Sequence, residues 1–260
     1  MMDNKVILIS IDGMRADGMQ QCGNAYVQTM EQECAFTYAA RSMVPSVTLP
    51  CHFSMMHSVP PQRHGILTND YTPQVHAVKG VFEKVEDAGG VCAMFYGWEP
   101  LRDIARPGSL RFATYIQSYT SESVDTVLTD EAIRVIEQHK PDLAFLYMVD
   151  TDEKGGHDNG WMSEEYMRRV SIALDNAHRV IDRFGEEYTV IVTADHGGHD
   201  RGHGSEMPED MTIPLFLRGK SFKAGEMTGA FSLLDIAPTI TAVLGIAADR
   251  NWEGHALCNA

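Results

Sequence analysis

Asp195, His196, His199 and His203 fall within TADHGGHDRGHG, residues 193–204, directly after the apolar run Tyr188 to Val192. Carboxylate oxygen and imidazole nitrogen are the donors that borderline divalent cations such as zinc accept. The glycines Gly197, Gly198, Gly202 and Gly204 give the backbone freedom to curl those donors toward one point. Metal chemistry is the first reading; the plainer one is an Asp-Gly turn carrying surface histidines.

Two more acidic clusters follow apolar runs. Asp12 closes VILISI, and Asp150, Asp152, Glu153 and His157 follow Leu143 to Val149 in DTDEKGGHDNG. A further chemical candidate is Thr48 in PSVTLPCHFSMMH, ahead of a short helix predicted to start near Pro50. A hydroxyl at the positive end of a helix, beside a metal, is stabilised as an alkoxide and becomes a nucleophile. Helix capping is the other reading of Thr48, and Ser46, Cys51 and His52 compete for nucleophile or ligand roles in the same turn.

These residues need a frame that collects them. Val6 to Ile11, Val91 to Tyr96, Leu143 to Val149, Tyr188 to Val192 and Pro214 to Leu217 are continuously apolar, the pattern of strands covered on both faces. Between them Val78, Val81, Phe82 and Val85 share a helical face, as do Val127, Leu128, Ile133 and Ile136. A longer helix is predicted from an N-cap at Ser163, carrying Tyr166, Val170, Leu174 and Ile181. Alternating strands and helices predict an α/β fold with a largely parallel central sheet and helices on both faces. Ligands of such sheets gather at the carboxyl ends of the strands, where Asp12, Asp150 to His157 and Asp195 to His203 all fall. No linker, repeat or low-complexity tract interrupts residues 1–260, so a single domain is expected, with loops at 59–65 and 97–108.

With 260 residues, 44% of them apolar, the chain can bury a substantial core. Its 21 basic against 36 acidic side chains, net charge -15, argue against nonspecific nucleic-acid or anionic-membrane binding. VILISI is too short for a membrane span or a secretory h-region, so a cytoplasmic protein is expected. Five cysteines without a CxxC pair predict reduced thiols rather than disulfides or a thiolate zinc site.

Asp12, the VTLP segment, the acidic segment ending in His157 and the DHG…HG segment stand in the order found in the alkaline phosphatase superfamily. They most closely resemble its nucleotide pyrophosphatase/phosphodiesterase-like branch. The similarity runs nearly from end to end, through IPLFLRG and SLLDIAPTITAVLGI to EGHAL. It implies an alkaline-phosphatase-like core with two divalent ions; zinc is preferred to magnesium or calcium because the donors mix imidazole and carboxylate, with manganese or iron as the alternatives. The resemblance assigns Asp12, Thr48, Asp195 and His196 to one ion and Asp152, His157 and His203 to the other. It makes Thr48 the nucleophile and Asn69 the amide donor to a phosphoryl oxygen.

Some positions depart from that pattern. Asp152 to His157 spans five residues where the family has four, which leaves Asp150 and Glu153 as alternative ligands, and His199 alternates with His203. Leu49 and Cys51 replace a common aromatic and a common asparagine, and the segments that build a substrate cap in larger relatives are short or missing. An open pocket with little nucleotide preference is expected. No C/S-x-P-x-R segment marks a sulfatase, and neither Arg41 nor Arg63 sits in the arrangement of the monoesterases. The expected activity is hydrolysis of a small phosphate ester, a diester or pyrophosphate-type bond, through a phosphothreonine intermediate. The alternatives are a phosphomonoesterase or phosphomutase on the same scaffold and a noncatalytic metal-dependent binding protein.

Overall fold

Val6–Ile11 forms strand β1, in which each residue is buried, Ser10 included, as a strand covered on both faces requires. The structure, a computed structural model, describes residues 2–74, 77–106 and 108–258. After β1 come α1 (Ala16–Gln21), α2 (Tyr26–Glu33), β2 (Ala35–Arg41), α3 (Thr48–His57), α4 (Pro61–His64), α5 (Val81–Asp87), β3 (Cys92–Tyr96) and β4 (Phe112–Tyr115). They are followed by α6 (Val124–His139), β5 (Leu143–Met148), α7 (Glu164–Phe184), β6 (Thr189–Thr193), α8 (Pro208–Met211), β7 (Thr212–Arg218), β8 (Gly225–Glu226) and α9 (Ile236–Leu244). A π-helix occupies Thr151–His157, and 3-10 turns lie at Glu99–Ile104 and Leu233–Asp235.

The eight strands form one sheet in the order β4-β3-β5-β1-β6-β7-β2-β8. Strand β7 runs antiparallel to both of its neighbours, β6 and β2; the other pairings are parallel. Helices α1, α2, α6 and α7 pack together on one face, and α3, α5 and α9 on the other. The expected α/β architecture is the observed one.

Local chemistry sets the helix ends. Ser163 Oγ accepts the Tyr166 N–H at 3.2 Å, and Glu164 and Glu165 sit in the first turn of α7. Its Tyr166, Val170, Leu174 and Ile181 face the core. Two expectations shift: Val78 lies ahead of α5, and Val127 on α6 faces solvent while Leu128 takes the buried position. Helix α3 begins at Thr48 rather than near Pro50. Among the described residues no helix is long and apolar enough to cross a membrane, and the five cysteines are unpaired.

Helix α3 is buried along its whole length although it carries two histidines. Their ring N–H groups are satisfied within the helix: His52 Nδ1 lies 2.9 Å from Thr48 O and His57 Nδ1 3.0 Å from Phe53 O. Burial pushes His57 from 6.5 down to about 3. The unfolded chain takes up this proton below pH 6.5, whereas the folded chain does so only near 3. Its contribution to stability is therefore complete above pH 6.5 and is lost as pH falls through that window, roughly 2 to 3 kcal/mol by pH 4.5. We expect His57→Gln to lose that much less stability than wild type between pH 7 and 4.5, both melted by denaturant in chelator. Equal losses would refute the assignment.

Candidate metal centre

Strands β5, β1 and β6 are neighbours at the middle of the sheet, so the segments leaving their carboxyl ends meet. Asp12 follows β1, Asp152 and His157 follow β5, and Asp195, His196 and His203 follow β6. The crossing is tight at Gly13, whose N–H donates to Asp195 Oδ1 at 3.2 Å. With φ of 65° and Asp152 Oδ1 only 2.7 Å from where a Cβ would stand, position 13 admits only glycine. Tyr166 Oη and Trp161 Nε1 both donate to Gly13 O at 2.9 Å and pin this turn from α7 and the loop before it.

Two sets of metal-type donors result, Asp12 with Asp195 and His196, and Asp152 with His157 and His203; within each set the ligand atoms lie within 4.8 Å of one another. The rings of His196 and His203 stack at 3.9 Å and join the sets. Thr48 Oγ1 stands 3.2 Å from His196 Nε2. Thr48 is the first residue of α3, with Val47 at the N-cap position, so its hydroxyl lies at the positive end of a ten-residue helix without being the cap.

The five-residue spacing from Asp152 to His157 is absorbed by the π-helix. On an α-helix, five residues overshoot a full turn by about 140°, whereas i to i+5 pairing returns them to one face. His157 Nε2 lies 3.3 Å from Asp152 Oδ2. Gly156 belongs to this turn because a Cβ there would stand 2.5 Å from the Trp161 ring.

The donors fit divalent cations. His157 Nδ1 lies 3.0 Å from Arg201 O, His196 Nδ1 2.8 Å from Gly197 O, and His203 Nδ1 2.8 Å from Ser46 O. A carbonyl only accepts, so each Nδ1 carries a proton; Nε2 of His196 and of His203 then presents a lone pair, while Nε2 of His157 donates to Asp152 a proton that a metal ion would displace. Those lone pairs face carboxylates: His196 Nε2 is 3.4 Å from Asp12 Oδ1, and His203 Nε2 3.9 Å from Asp152 Oδ1. Asp12 Oδ1, Asp152 Oδ1 and Asp195 Oδ2 are buried without a hydrogen-bond donor. Acceptor facing acceptor in a buried site calls for a cation between them. The electrostatics agree. Burial, then repulsion from Asp195 and Asp152, push Asp12 well above the usual carboxylate range. The hydrogen bond to Asp152 raises His157 to about 9, against burial, while burial lowers His203 to about 4. Burial opposes it, yet Asp195 is held below its ordinary value because His196 and His52 adjoin it.

The remaining candidates lie outside the two sets. Asp150 is buried beside Lys154, Glu153 accepts from the Tyr119 hydroxyl at 3.1 Å, and His199 pairs with Asp210 at 2.7 Å. Ser46 Oγ donates to Ser205 O, and burial pushes the Cys51 thiol up to about 12, which removes both as nucleophiles. His52 proves to be a support: Nδ1 lies 3.3 Å from Asp195 Oδ2 and Nε2 2.9 Å from Ser10 Oγ. Leu49 is fully buried and turned away from the cleft.

The cleft, about 70 Å³, is lined by Asp12, Thr48, Asn69, Trp98, Tyr147, Asp152, Glu153, His157 and His203. No lysine or arginine is among them; Arg63 pairs with Glu253 instead. Asn69 Oδ1 accepts the Leu49 N–H at 3.0 Å, which turns the amide N–H groups away from the helix end. Sequence reasoning missed Trp98 and Tyr147, whose hydroxyl donates to Asp12 Oδ2. Tyr147 is hidden in an apolar strand, and the one signal it gives is a polar atom close to the strand's end. A larger hollow of 300 Å³, lined by Arg15, Asp17, Gln20, Tyr38 and Glu209 among others, holds neither donor set.

Comparison with known proteins agrees. The model for type I phosphodiesterase / nucleotide pyrophosphatase matches residues 6–116, and that for the metalloenzyme superfamily matches residues 73–248. Phosphopentomutase of Alkaliphilus metalliredigens is 30% identical over 141 residues, 52% of this chain and 34% of that protein. Ectonucleotide pyrophosphatase/phosphodiesterase family member 1 of Mus musculus is 23% identical over 197 residues, 67% of this chain and 21% of that protein. These matches therefore span about a third and a fifth of the relatives' lengths. Among solved structures, murine ectonucleotide pyrophosphatase/phosphodiesterase 5 in complex with AMP superposes with a TM-score of 0.80 at 13% identity, covering 97% of this chain and 96% of that one. A 2-O GAG sulfatase does so with a TM-score of 0.74 at 14% identity, covering 99% of this chain and 73% of that one. With more than half of its length matched by that family's model, the chain belongs to the metalloenzyme superfamily, the alkaline phosphatase superfamily that its motifs resemble.

Proposed function

We propose that this protein is a two-metal phosphoester hydrolase that prefers diesters to monoesters. The observation that carries the reading is the placing of Thr48 Oγ1, 3.2 Å from His196 Nε2 at the head of α3, in the cleft where the two donor sets join. Asp12, Asp195 and His196, with Thr48, would hold one divalent ion, and Asp152, His157 and His203 the other; zinc suits the mixed imidazole and carboxylate donors. When bound, such ions act as Lewis acids that stabilise the attacking, leaving and nonbridging oxygens of an in-line displacement.

Thr48 Oγ1 attacks phosphorus in line with the leaving alcohol. The Oγ1–P bond forms as the bond from phosphorus to the leaving oxygen breaks and the hydroxyl proton ends on the departing alcohol; Thr48 then carries the phosphoryl group with its second ester intact, and water cleaves Oγ1–P to release the monoester and restore the hydroxyl. Asn69, its oxygen tied to the Leu49 N–H, aims its amide donors at a nonbridging oxygen. The helix dipole of α3 favours negative charge at Thr48.

Charge favours the diester. Four positive charges from two divalent ions meet the carboxylates of Asp12, Asp152, Asp195 and Glu153, so the site is close to neutral. A diester brings one negative charge and a monoester two, and no lysine or arginine lines the cleft to meet the second. The similarity to phosphopentomutase supports a second reading, in which the phosphoryl group on Thr48 passes to a sugar hydroxyl instead of water.

Hydrolysis of bis-p-nitrophenyl phosphate and p-nitrophenyl phosphate by metal-quantified protein separates these readings. The expected result is a kcat/KM at least about tenfold higher for the diester, about 1.4 kcal/mol in transition-state energy. Monoester preference would shift the assignment to phosphatase or mutase, and no turnover with fewer than two ions per chain to a binding protein.

A further inference from the structure

Beside the second donor set lies a buried group of charges that takes no part in the reaction. Asp150 and Lys154 flank Asp152 on the π-helix and its first residue's predecessor, and Arg169 reaches them from α7. Lys154 is 8% exposed and donates to Ser121 O at 2.8 Å and Glu122 O at 3.0 Å, while its ammonium forms an ion pair with Asp150 Oδ1 at 3.0 Å. Arg169 Nη1 donates to the same Glu122 carbonyl at 2.7 Å and stands 3.8 Å from Asp150 Oδ2, while its Nε donates to Glu165 at 2.6 Å. From below, the buried carboxylate of Asp125 accepts the N–H groups of Val149 at 2.7 Å and Asp150 at 3.2 Å. Two buried cations thus meet the one carboxylate of Asp150, and Asp125 holds the backbone beneath it.

The π-helix needs such a hold. Its hydrogen-bond pattern is rare, and Gly155 and Gly156 make it costly to order. His157 is partly exposed, and outside the turn and the donor set its polar contact is one carbonyl, Arg201 O. If the turn relaxed into an α-helix, Asp152 and His157 would leave their common face. Lys154 lies between them in sequence, and its two hydrogen bonds and one ion pair tie the turn to the 121–122 segment on one side and to Asp150, just past β5, on the other. The mismatch with the family's four-residue spacing is therefore compensated at Lys154, two residues from the acidic ligand.

We propose that Asp150, Lys154 and Arg169 form an ionic staple that positions the Asp152–His157–His203 set for its metal ion, with Lys154 as the central positioning residue. The proposal rests on the two-metal reading of the site. It assigns Asp150, a ligand candidate by sequence, to bracing instead.

Two measurements on the full chain test it. Zinc titration against a competing chelator resolves the two affinities in wild type, Lys154→Met and the double variant Asp150→Asn/Lys154→Met. The staple predicts that Lys154→Met weakens one ion at least tenfold and leaves the other within threefold. The double variant removes the uncompensated buried carboxylate that the single change leaves behind. It should regain thermal stability yet keep the weakened ion. Recovery of both affinities in the double variant, or equal weakening of both ions in the single one, would overturn the staple and leave only a cost of unpaired charge. The second measurement, amide hydrogen exchange in chelator, depends on no metal. Residues 151–157 should exchange at least tenfold faster in Lys154→Met than in wild type, with 193–197 unchanged; unchanged exchange at 151–157 would refute the proposal. Wild type that binds fewer than two ions while the exchange result holds would sink the two-metal reading alone.

Discussion

Alanine at position 48 should lower kcat for bis-p-nitrophenyl phosphate about 10⁴-fold while the protein still binds two ions. The size follows from the role: without Oγ1 no covalent intermediate forms, and what remains is the orientation and charge stabilisation supplied by the rest of the site. Six other donors, Asp12, Asp152, His157, Asp195, His196 and His203, remain to hold the metals. Thr48→Ser keeps the hydroxyl at the head of α3 and should recover activity to within about tenfold of wild type, since only a methyl group is lost. Steady-state rates on metal-quantified variants decide the matter. An alanine variant with more than a hundredth of wild-type kcat would mean that Thr48 is not the nucleophile, and Ser46 and Cys51 are already committed or protonated.

Chelation should lower the melting temperature by roughly 15 to 30 °C. Each ion present at a thousandfold excess over its dissociation constant stabilises the fold by about 4 kcal/mol, and each kcal/mol shifts the melt of a chain this size by about 2 to 4 °C. The structural reason is the mutual repulsion of Asp12, Asp152 and Asp195, each of which has one buried oxygen without a donor among the described residues. Asp12→Asn therefore carries opposite signs. With zinc it should melt below wild type because a ligand is lost, and in chelator above it because one buried negative charge is gone. Calorimetry of both proteins under both conditions checks this, and a variant that melts lower in chelator as well would contradict the electrostatic account.

The fold was legible where burial leaves no choice of residue. Strand β1 has the same bounds in sequence and structure, because both its faces are covered and five of its six residues are apolar, the exception being Ser10, bonded to His52. Strand β2 was not seen: AFTYAAR alternates buried, intermediate and exposed positions near the sheet margin, so its pattern is weak. Strand β4 at the edge and the two-residue β8 were missed for the same reason. The reversed direction of β7 depends on the short α8 connection rather than on any side chain within PLFL. At the site, types and spacing brought out Asp12, Thr48, Asp195 and His196, which the structure draws together. The choice among Asp150, Asp152 and Glu153 was open to sequence because helical phase is a property of hydrogen bonding, and a π turn leaves no mark beyond its pair of glycines. His52 was read as a competitor of Thr48, when its burial and its contacts with Thr48 O and Asp195 make it a support.

The adjacency of β5, β1 and β6 has a temporal side. Val6 pairs with both Leu143 and Thr189, so β1 leaves the ribosome well over a hundred residues before either neighbour exists. Contacts so distant in sequence form late and slowly. Until then Asp12 stands alone, and no two strands hold their ligands side by side. The nascent chain thus offers passing cations nothing better than loose, solvated carboxylates and imidazoles. Metal capture belongs to the finished sheet, and a cell short of metal would accumulate folded, idle protein rather than unfolded chain.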